Sequence, residues 1–346
     1  MAPVRIGLAG YGYGGRFFHA PFIAAAAGCE LVGVITNSPE RRAAVAADLP
    51  GRPTFASLEE LAGAGAEAVV ISTPAETHTT LTEQALRLGL AVVCDKPFAL
   101  DAASARRTVL LSEELNGPLT AYQNRRWDSD FRTLRAALAD GLLGDPVRFE
   151  SRFERFTPDA PPPPSGGGTL RDFGSHLVDQ ALVLFGPARS VYAEMHAHDD
   201  AAGLDDDVFV AVTHGGGVHS HLWGSWRQGA PGPRLRVTGT AASYIVDGED
   251  QQENLLVAGH SPATLAGWST EPEDHWGRVL RGDRSEVLVS ERGAWDLFYP
   301  AFAAAVRGEG PVPVDPWDAV ATAGVIDAAM ESAATGAVVR VEPRER

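Results

Sequence analysis

Cysteine is scarce in this chain: among 346 residues there are two, Cys29 and Cys94, and both sit in apolar runs. Two such thiols make neither a disulfide framework nor a metal-ligand cluster. Runs of lysine or arginine are missing too, and the formal net charge is -16. Nucleic acid or an anionic membrane surface is therefore repelled rather than attracted. An anionic ligand has to be held by local groups, such as helix N-termini and single arginines. Long hydrophobic runs are also lacking. The N-terminal MAPVRIGLAGYGYGG is apolar for only a few residues before glycines interrupt it. That is too short for a signal-peptide core, and no other stretch is long enough to span a bilayer. A cytoplasmic protein with no membrane or nucleic-acid partner is expected.

What is present is ordinary globular material, 45% hydrophobic and 21% charged. The length exceeds that at which one core keeps growing, so two domains are expected. The first half alternates β-rich runs with Ala-rich helical stretches. Strands are expected at Val4 to Gly10, Cys29 to Thr36, Glu67 to Thr73, Leu90 to Asp95 and Pro118 to Asn124. Helices are expected at Arg16 to Ala27, from Pro39 to Asp48 and from His78 to Leu88, with Gly89 at a C-cap position. Continuous apolar strands separated by helices mean a parallel sheet covered on both faces.

The second half changes rhythm. Pro146 to Phe156 alternates in character, as a half-exposed antiparallel strand does. The tract PDAPPPPSGGG follows, then a helix from about Leu170 to Phe185. Further strands are VYAEMHAH, DVFVAVTH, GVHSHLWGSW, LRVTGTAASYIV and EVLVS. An amphipathic helix, Trp317 to Ser332, precedes a short last strand, AVVRVEP. One mostly antiparallel sheet with a few helices accounts for these.

The first strand runs into Gly10-Tyr11-Gly12-Tyr13-Gly14-Gly15, which contains the G-x-G-x-x-G spacing. The first glycine allows a tight turn, the second admits a pyrophosphate to the backbone, and the third lets helix and strand pack closely. Strand before and helix after make this a dinucleotide site rather than a plain glycine turn. At the end of the second strand an NAD-selective site carries an acid. Here the chain reads Thr36-Asn37-Ser38-Pro39-Glu40-Arg41-Arg42. Hydroxyls beside a guanidinium suit the 2′-phosphate of NADP; the alternative is that both arginines are solvated helix residues and the cofactor is NAD. Thr73-Pro74 ends the third strand at the ligand edge, and His78, a cap or surface residue on the bland reading, is expected to contact cofactor there.

Asp172 and His176, in GGGTLRDFGSHLVDQ, are four apart and share one helix face. A carboxylate beside an imidazole can orient a hydroxyl and move its proton; alone, the pair reads equally well as a surface ion pair. The preceding Pro/Gly tract could serve as a lid. His196/His198 and His219/His221 could each chelate from one strand face, but no acid or cysteine completes a shell in sequence, so no metal is expected. The remaining puzzle is AVVCDKPF, Ala91 to Phe98, a buried strand that ends on a lysine.

Together these residues resemble the Gfo/Idh/MocA oxidoreductases over essentially the whole chain. The likeness rests on GYGYGG, on T-P-x-x-x-H at Thr73 to His78, on DKP at Asp95 to Pro97, on NRRWDSDF at Asn124 to Phe131, and on D-x-x-x-H at Asp172 to His176. FHAPFI at His19 and NRRWDSDF look closest to the scyllo-inositol dehydrogenase-like branch. The resemblance implies an α/β N-terminal Rossmann domain, residues 1–122, and an α+β domain, residues 123–346, with a large, mostly antiparallel open sheet. It implies that Lys96, Asp172 and His176 face the nicotinamide from two domains, that Asp95 and Lys96 are among the cofactor contacts, that Lys96 hydrogen-bonds the reacting hydroxyl, and that His176 exchanges its proton. Asp172 would bind and orient the substrate, and Arg126 and Trp127 would line the site. Asp95 stands where the family more often has Glu, and the lysine–proline peptide is often cis in the family, turning the ammonium into the cleft.

The resulting expectation is an NAD(P)-dependent dehydrogenase interconverting a polyol or sugar hydroxyl and its ketone, with an inositol foremost and NADP favoured over NAD. A homodimer or homotetramer formed through the Trp- and His-rich open sheet face is implied. The alternatives are a dehydrogenase of another sugar or a dihydrodiol, and a non-catalytic NADP-sensing regulator on the same fold.

Overall fold

A computed structural model describes residues 2–157, 167–198 and 203–342. The expected lid tract falls largely on 158–166, outside the described residues. Among the described residues the first sheet has six strands: β1 Val4–Ala9, β2 Cys29–Ile35, β3 Thr54–Phe55, β4 Ala68–Ile71, β5 Ala91–Cys94 and β6 Leu119–Ala121. All pair in parallel, in the order β3-β2-β1-β4-β5-β6. Every residue of β4 and β5 is buried, as the continuous apolar runs require. Because β1 lies between β2 and β4, the strand order reverses there, and the crevice at its carboxyl end is where such sheets hold ligands.

The helices α1 Ala20–Ala25, α2 Pro39–Asp48, α3 Leu58–Gly63, α4 His78–Arg87 and α5 Ala102–Leu115 cover this sheet. Ser38 caps α2 by accepting from Arg41 N at 3.3 Å, and Asp101 caps α5 through Ser104 N at 2.7 Å. The first helix departs from the expected Arg16 to Ala27. It opens as a π-helical turn, Gly14–His19, in which Ala20 N donates to Gly15 O. The wider turn aims His19 into the interior, where it is fully buried; π-turns recur at functional sites for such reasons.

The second sheet comprises β7 Pro146–Glu154, β8 Ala188–His196, β9 Asp207–His214, β10 His219–Ser225, β11 Leu235–Gly239, β12 Ser243–Val246, β13 Gly277–Arg281, β14 Arg284–Leu288 and β15 Val339–Arg340. Its order is β14-β13-β12-β11-β7-β10-β9-β8-β15, antiparallel except for β7 with β10. The remaining helices are α6 Ser129–Ala139, α7 Thr169–Phe185, α8 Gln252–Val257, α9 Phe298–Val306 and α10 Pro316–Thr335. One sheet face packs on α7 and α10, and residues alternate in burial along β9 as they should. The other face presents Phe209, His221, Trp223 and Arg152, whose guanidinium lies 4.0 Å from the Trp223 ring centre. Expected as amphipathic, α10 is buried on several sides because α5, α7, β8 and β15 all pack on it.

One element unforeseen in sequence binds the halves together. After the second sheet, Trp295 and α9 return to the first sheet's core, where Trp295, Phe298, Tyr299 and Phe302 are fully buried. Within the second half, the 3-10 turn Asn124–Trp127 is tied to two helices through Arg126. Its Nε and Nη2 donate to Asp179 on α7 at 2.7 and 2.6 Å, and Nη1 and Nη2 reach Asp318 on α10 at 3.1 Å. Asp179 is buried, so its carboxylate depends on this partner. Removing one partner of a buried pair costs about 3–5 kcal/mol. Arg126→Met is expected to lower the unfolding free energy in chemical denaturation by that amount, while leaving Michaelis constants near wild type in the folded fraction.

Candidate active site

The cleft at the end of β1 fits a dinucleotide through its backbone. Gly10 has φ +97°, and a Cβ there would lie 2.2 Å from Ser72 O. A Cβ on Gly15 would lie 2.2 Å from Gly10 O, so strand and helix meet only because both are glycine. A Cβ on Gly14 would fall 2.7 Å from Ser72 Oγ and 3.0 Å from Asp95 Oδ2. At Gly12 the space is open, with only Arg41 Nη2 near, at 3.8 Å. Two adjoining clefts, of about 430 and 300 Å³, run from Thr36, Asn37 and Ser38 past Arg41, Thr73 and Pro74 to Asp95 and Lys96. Arg41 lines both. Arg42 instead donates from Nε to Thr36 O at 3.1 Å and braces the strand end. Tyr13 faces the cleft, whereas the Tyr11 hydroxyl turns to Asp48 at 3.2 Å. A nicotinamide dinucleotide would be held by the glycine loop, the Thr36–Arg41 segment and Thr73-Pro74.

His78 does not line these clefts. It is buried, with Nδ1 2.7 Å from Pro97 O and Nε2 2.8 Å from Thr73 O, so it staples two ligand loops together from below. Burial disfavours its charge, but Cys94, Asp95 and the Pro97 carbonyl outweigh that and push its pKa up to about 9. Two carbonyl acceptors, one at each ring nitrogen, suit an imidazolium. The Lys96–Pro97 peptide is cis.

Asp95 is held by a buried chain. Its Oδ1 accepts Lys96 N at 2.8 Å, and its Oδ2 accepts Ser72 Oγ at 2.9 Å and faces His19 Nε2 at 3.1 Å. The other His19 nitrogen lies 2.6 Å from the Tyr299 hydroxyl. Burial opposes the charge of Asp95, yet His19, His78 and Lys96 prevail and lower its pKa to about 2.

Next to this loop is a cavity of about 150 Å³ between the two halves, lined by Lys96, Asp172, His176, Tyr122, Asn124, Arg125 and the aromatics Phe153, Phe173 and Trp226. Lys96 Nζ pairs with Asp172 Oδ1 across it. The first turn of α7, which carries Asp172, is fixed by Asp205: its carboxylate accepts Leu170 N at 2.6 Å and its carbonyl accepts the Thr169 hydroxyl at 2.7 Å. One turn on, His176 is 5% exposed and its Nδ1 is buried without a partner. Burial, then repulsion from Lys96, Arg125 and Arg234, holds its pKa well below the usual histidine range. The ring is therefore neutral near pH 7 and able to accept a proton.

Lys96, Asp172 and His176 thus come together as expected; Arg126 and Trp127 do not join them. Trp127 packs its ring on Phe298, 5.6 Å between centroids, and Arg126 is spent on Asp179 and Asp318. The neighbouring Arg125 lines the cavity instead, with Arg155 and Glu253. Sequence reasoning missed these three, and Glu253 lies in no recognisable motif. One available signal went unused: Lys96 is the only lysine in the chain. The H-x-H pairs are engaged elsewhere, His198 with Asp206 at 2.6 Å and His219 with Thr213 at 3.3 Å. Among the described residues no cluster of three or more His, Cys, Asp or Glu could hold a metal, and no helix is long and apolar enough to cross a membrane.

Comparison with known proteins accords with this geometry. The oxidoreductase family with an NAD-binding Rossmann fold matches residues 4–123, and the GFO/IDH/MocA C-terminal domain matches residues 131–245. The chain is 34% identical to the uncharacterized oxidoreductase YdgJ of Escherichia coli, over 95% of this chain and 96% of that one. It is 29% identical to the scyllo-inositol 2-dehydrogenase (NADP(+)) IolW of Bacillus subtilis, over 98% and 96%. A crystal structure of a candidate oxidoreductase from Klebsiella pneumoniae superposes with a TM-score of 0.91 at 33% identity, covering 100% of this chain and 97% of that one.

The neutral His176 gives a pH signature. A histidine of ordinary pKa, about 6.5, loses its basic form as pH falls through that value. With the folded pKa depressed, the basic form persists further into acid. For oxidation of an alcohol, kcat/KM is expected to stay flat on its acid side through the ordinary histidine value of about 6.5, read from initial rates across a buffer series. A limb near 6.5 that vanishes in His176→Asn would contradict it.

Proposed function

The chain belongs to the GFO/IDH/MocA oxidoreductase family, and on that footing we propose that it is an NADP-dependent dehydrogenase interconverting a polyol or sugar hydroxyl and its ketone, with an inositol as the leading substrate. Residues 1–122 carry the cofactor and 123–346 the substrate. The observation that carries the reading is the Lys96–Asp172 pair spanning the cavity beside a buried, unprotonated His176.

When bound, the nicotinamide takes up or returns the hydride. The protein has to manage the rest. Oxidation removes the hydroxyl proton as the carbon gives up its hydride, so a base and a cation must meet at one oxygen. The Lys96 ammonium donates to that oxygen and stabilises its developing negative charge. The unpartnered His176 accepts the proton, and Asp172 holds the ammonium and orients a neighbouring hydroxyl. A sensor without turnover has no use for these three groups together, which weighs against the rival reading. NADP is favoured by Arg41, the one side chain within 4 Å of a Cβ built on Gly12, and by the absence of an acid at Thr36 to Ser38. NADP dependence in the name of the Bacillus subtilis relative supports the same choice. The half-buried Trp223–Arg152–Phe209 face is the surface we assign to self-association.

The test is absorbance of reduced nicotinamide with scyllo-inositol, myo-inositol and common aldoses, each with NADP and NAD. Lys96→Ala should lower kcat by about 100- to 1,000-fold, the typical loss of one donor to a developing oxyanion. Retained turnover in that variant would overturn the role given to Lys96. Losing a charge-assisted hydrogen bond of about 1.5–3 kcal/mol, Arg41→Ala should raise the KM for NADP at least about tenfold with little change for NAD. Equal effects on both cofactors would remove the case for the 2′-phosphate.

A further inference from the structure

The cavity wall opposite Lys96 carries charges that this mechanism does not use. Glu253, from α8, reaches in between two arginines: Arg125 Nη2 donates to Oε2 at 2.7 Å, and Arg155 Nη2 lies 3.4 and 3.5 Å from the two carboxylate oxygens. The Tyr13 hydroxyl donates to Oε1 at 3.3 Å. Both guanidiniums are laid on aromatic faces, Arg125 4.4 Å and Arg155 5.2 Å from the Phe153 centroid, with Phe173 and Trp226 within 6 Å of Arg155. Arg125 Nε is buried without a partner. Every cation lining the cavity thus faces a carboxylate of the protein: Lys96 faces Asp172, Arg125 and Arg155 share Glu253, and Arg125 also reaches the buried Asp128 from Nη1 at 3.3 Å.

We propose that Glu253 is the specificity-determining residue of this site, selecting neutral polyols and excluding sugar acids of the same size. The inference rests on reading this cavity as the substrate site. Two converging guanidiniums over an aromatic wall are a ready receptor for a carboxylate. Glu253 occupies that receptor from within, so a substrate carboxylate would have to displace it or bring a second negative charge beside it. A hydroxyl pays neither cost: it donates to the Glu253 carboxylate and accepts from Arg155 at once. Selectivity of this kind is a difference of affinities built largely from repulsion of the wrong ligand. Burial works against the Glu253 charge, but Arg125 and Arg155 outweigh it and hold its pKa below the usual carboxylate range, so the repulsion persists across the working pH.

The decisive comparison is wild type against Glu253→Gln, assayed with myo-inositol or scyllo-inositol and with D-glucuronate. Glutamine keeps the shape and leaves Arg155 without the carboxylate it faces, while Arg125 keeps Asp128 at 3.3 Å. The variant is expected to raise the KM for the inositol about tenfold with kcat little changed, and to tighten glucuronate, as substrate or competitive inhibitor, at least about tenfold. A variant that melts like wild type, keeps its KM and gains nothing on glucuronate overturns the inference. Arg155→Gln, the variant for the case in which Glu253→Gln does not fold, should raise the inositol KM alone; an unchanged KM there overturns the inference as well. If wild type turns over no neutral polyol, the proposed activity is what fails. Glucuronate titrated calorimetrically into the cofactor complexes of wild type and Glu253→Gln still decides the matter, equal affinities sinking it.

Discussion

The ion pair between Lys96 and Asp172 joins the two halves of the molecule at the point where the chemistry is assigned. Lys96 stands at the end of β5, on a loop stapled by His78 and Asp95; Asp172 stands on the first turn of α7, fixed by Asp205. Neither group is fully out of water, so the pair keeps part of its hydration while the low-dielectric walls strengthen its field. That field sets the protonation of what surrounds it. Lys96 helps to keep Asp95 ionised and, after the larger effect of burial, helps to keep His176 neutral. Groups pushed to opposite protonation states within one cavity are the pattern that acid–base chemistry requires.

The chain commits its only lysine to this position and meets every other need for a side-chain cation with arginine or histidine. Guanidiniums suit the structural tasks, because they stay charged when buried and bind carboxylates in pairs; Arg126 between Asp179 and Asp318 is the plainest case. An ammonium is a compact charge with three rotatable donors, able to serve Asp172 and a substrate oxygen together. Against a net charge of -16, a cation at the centre of the cleft would also stabilise the alkoxide that the proposed oxidation forms.

The parallel sheet and the glycine loop were legible from local pattern, continuous apolar strands and glycines at fixed spacing; Asp172 and His176 were legible as two residues on one helix face, but their meeting with Lys96 followed from the family resemblance alone. Arg126 was not. In a 3-10 turn adjacent side chains diverge widely, and which of Arg125 and Arg126 enters the cavity depends on Asp179 and Asp318, 53 and 192 residues away. His78 misled in a similar way, since its position at a strand end is right but two backbone carbonyls turn it beneath the site. Glu253 and α9 carry no periodic signal of their own; their roles come from what they pack against, Arg125 and Arg155 for one and the core of the first sheet for the other.

The aspartate at position 95 is held by its partners. The short side chain sets its carboxylate back toward β5, and His19 and Ser72 close the distance from the other side. His19 can do so only because the π-helical turn rotates it inward, and the Tyr299 hydroxyl holds its far nitrogen. A glutamate would carry the carboxylate one methylene further, toward Gly14, where a Cβ would already lie 3.0 Å from Oδ2. It would enter the cofactor cleft unless His19 gave way. Asp95, His19, the π-turn and the glycine at 14 are therefore one unit. Residues sharing a hydrogen-bond network in this way do not change independently, so exchanging Asp95 for glutamate is expected to disturb His19 and Ser72 with it.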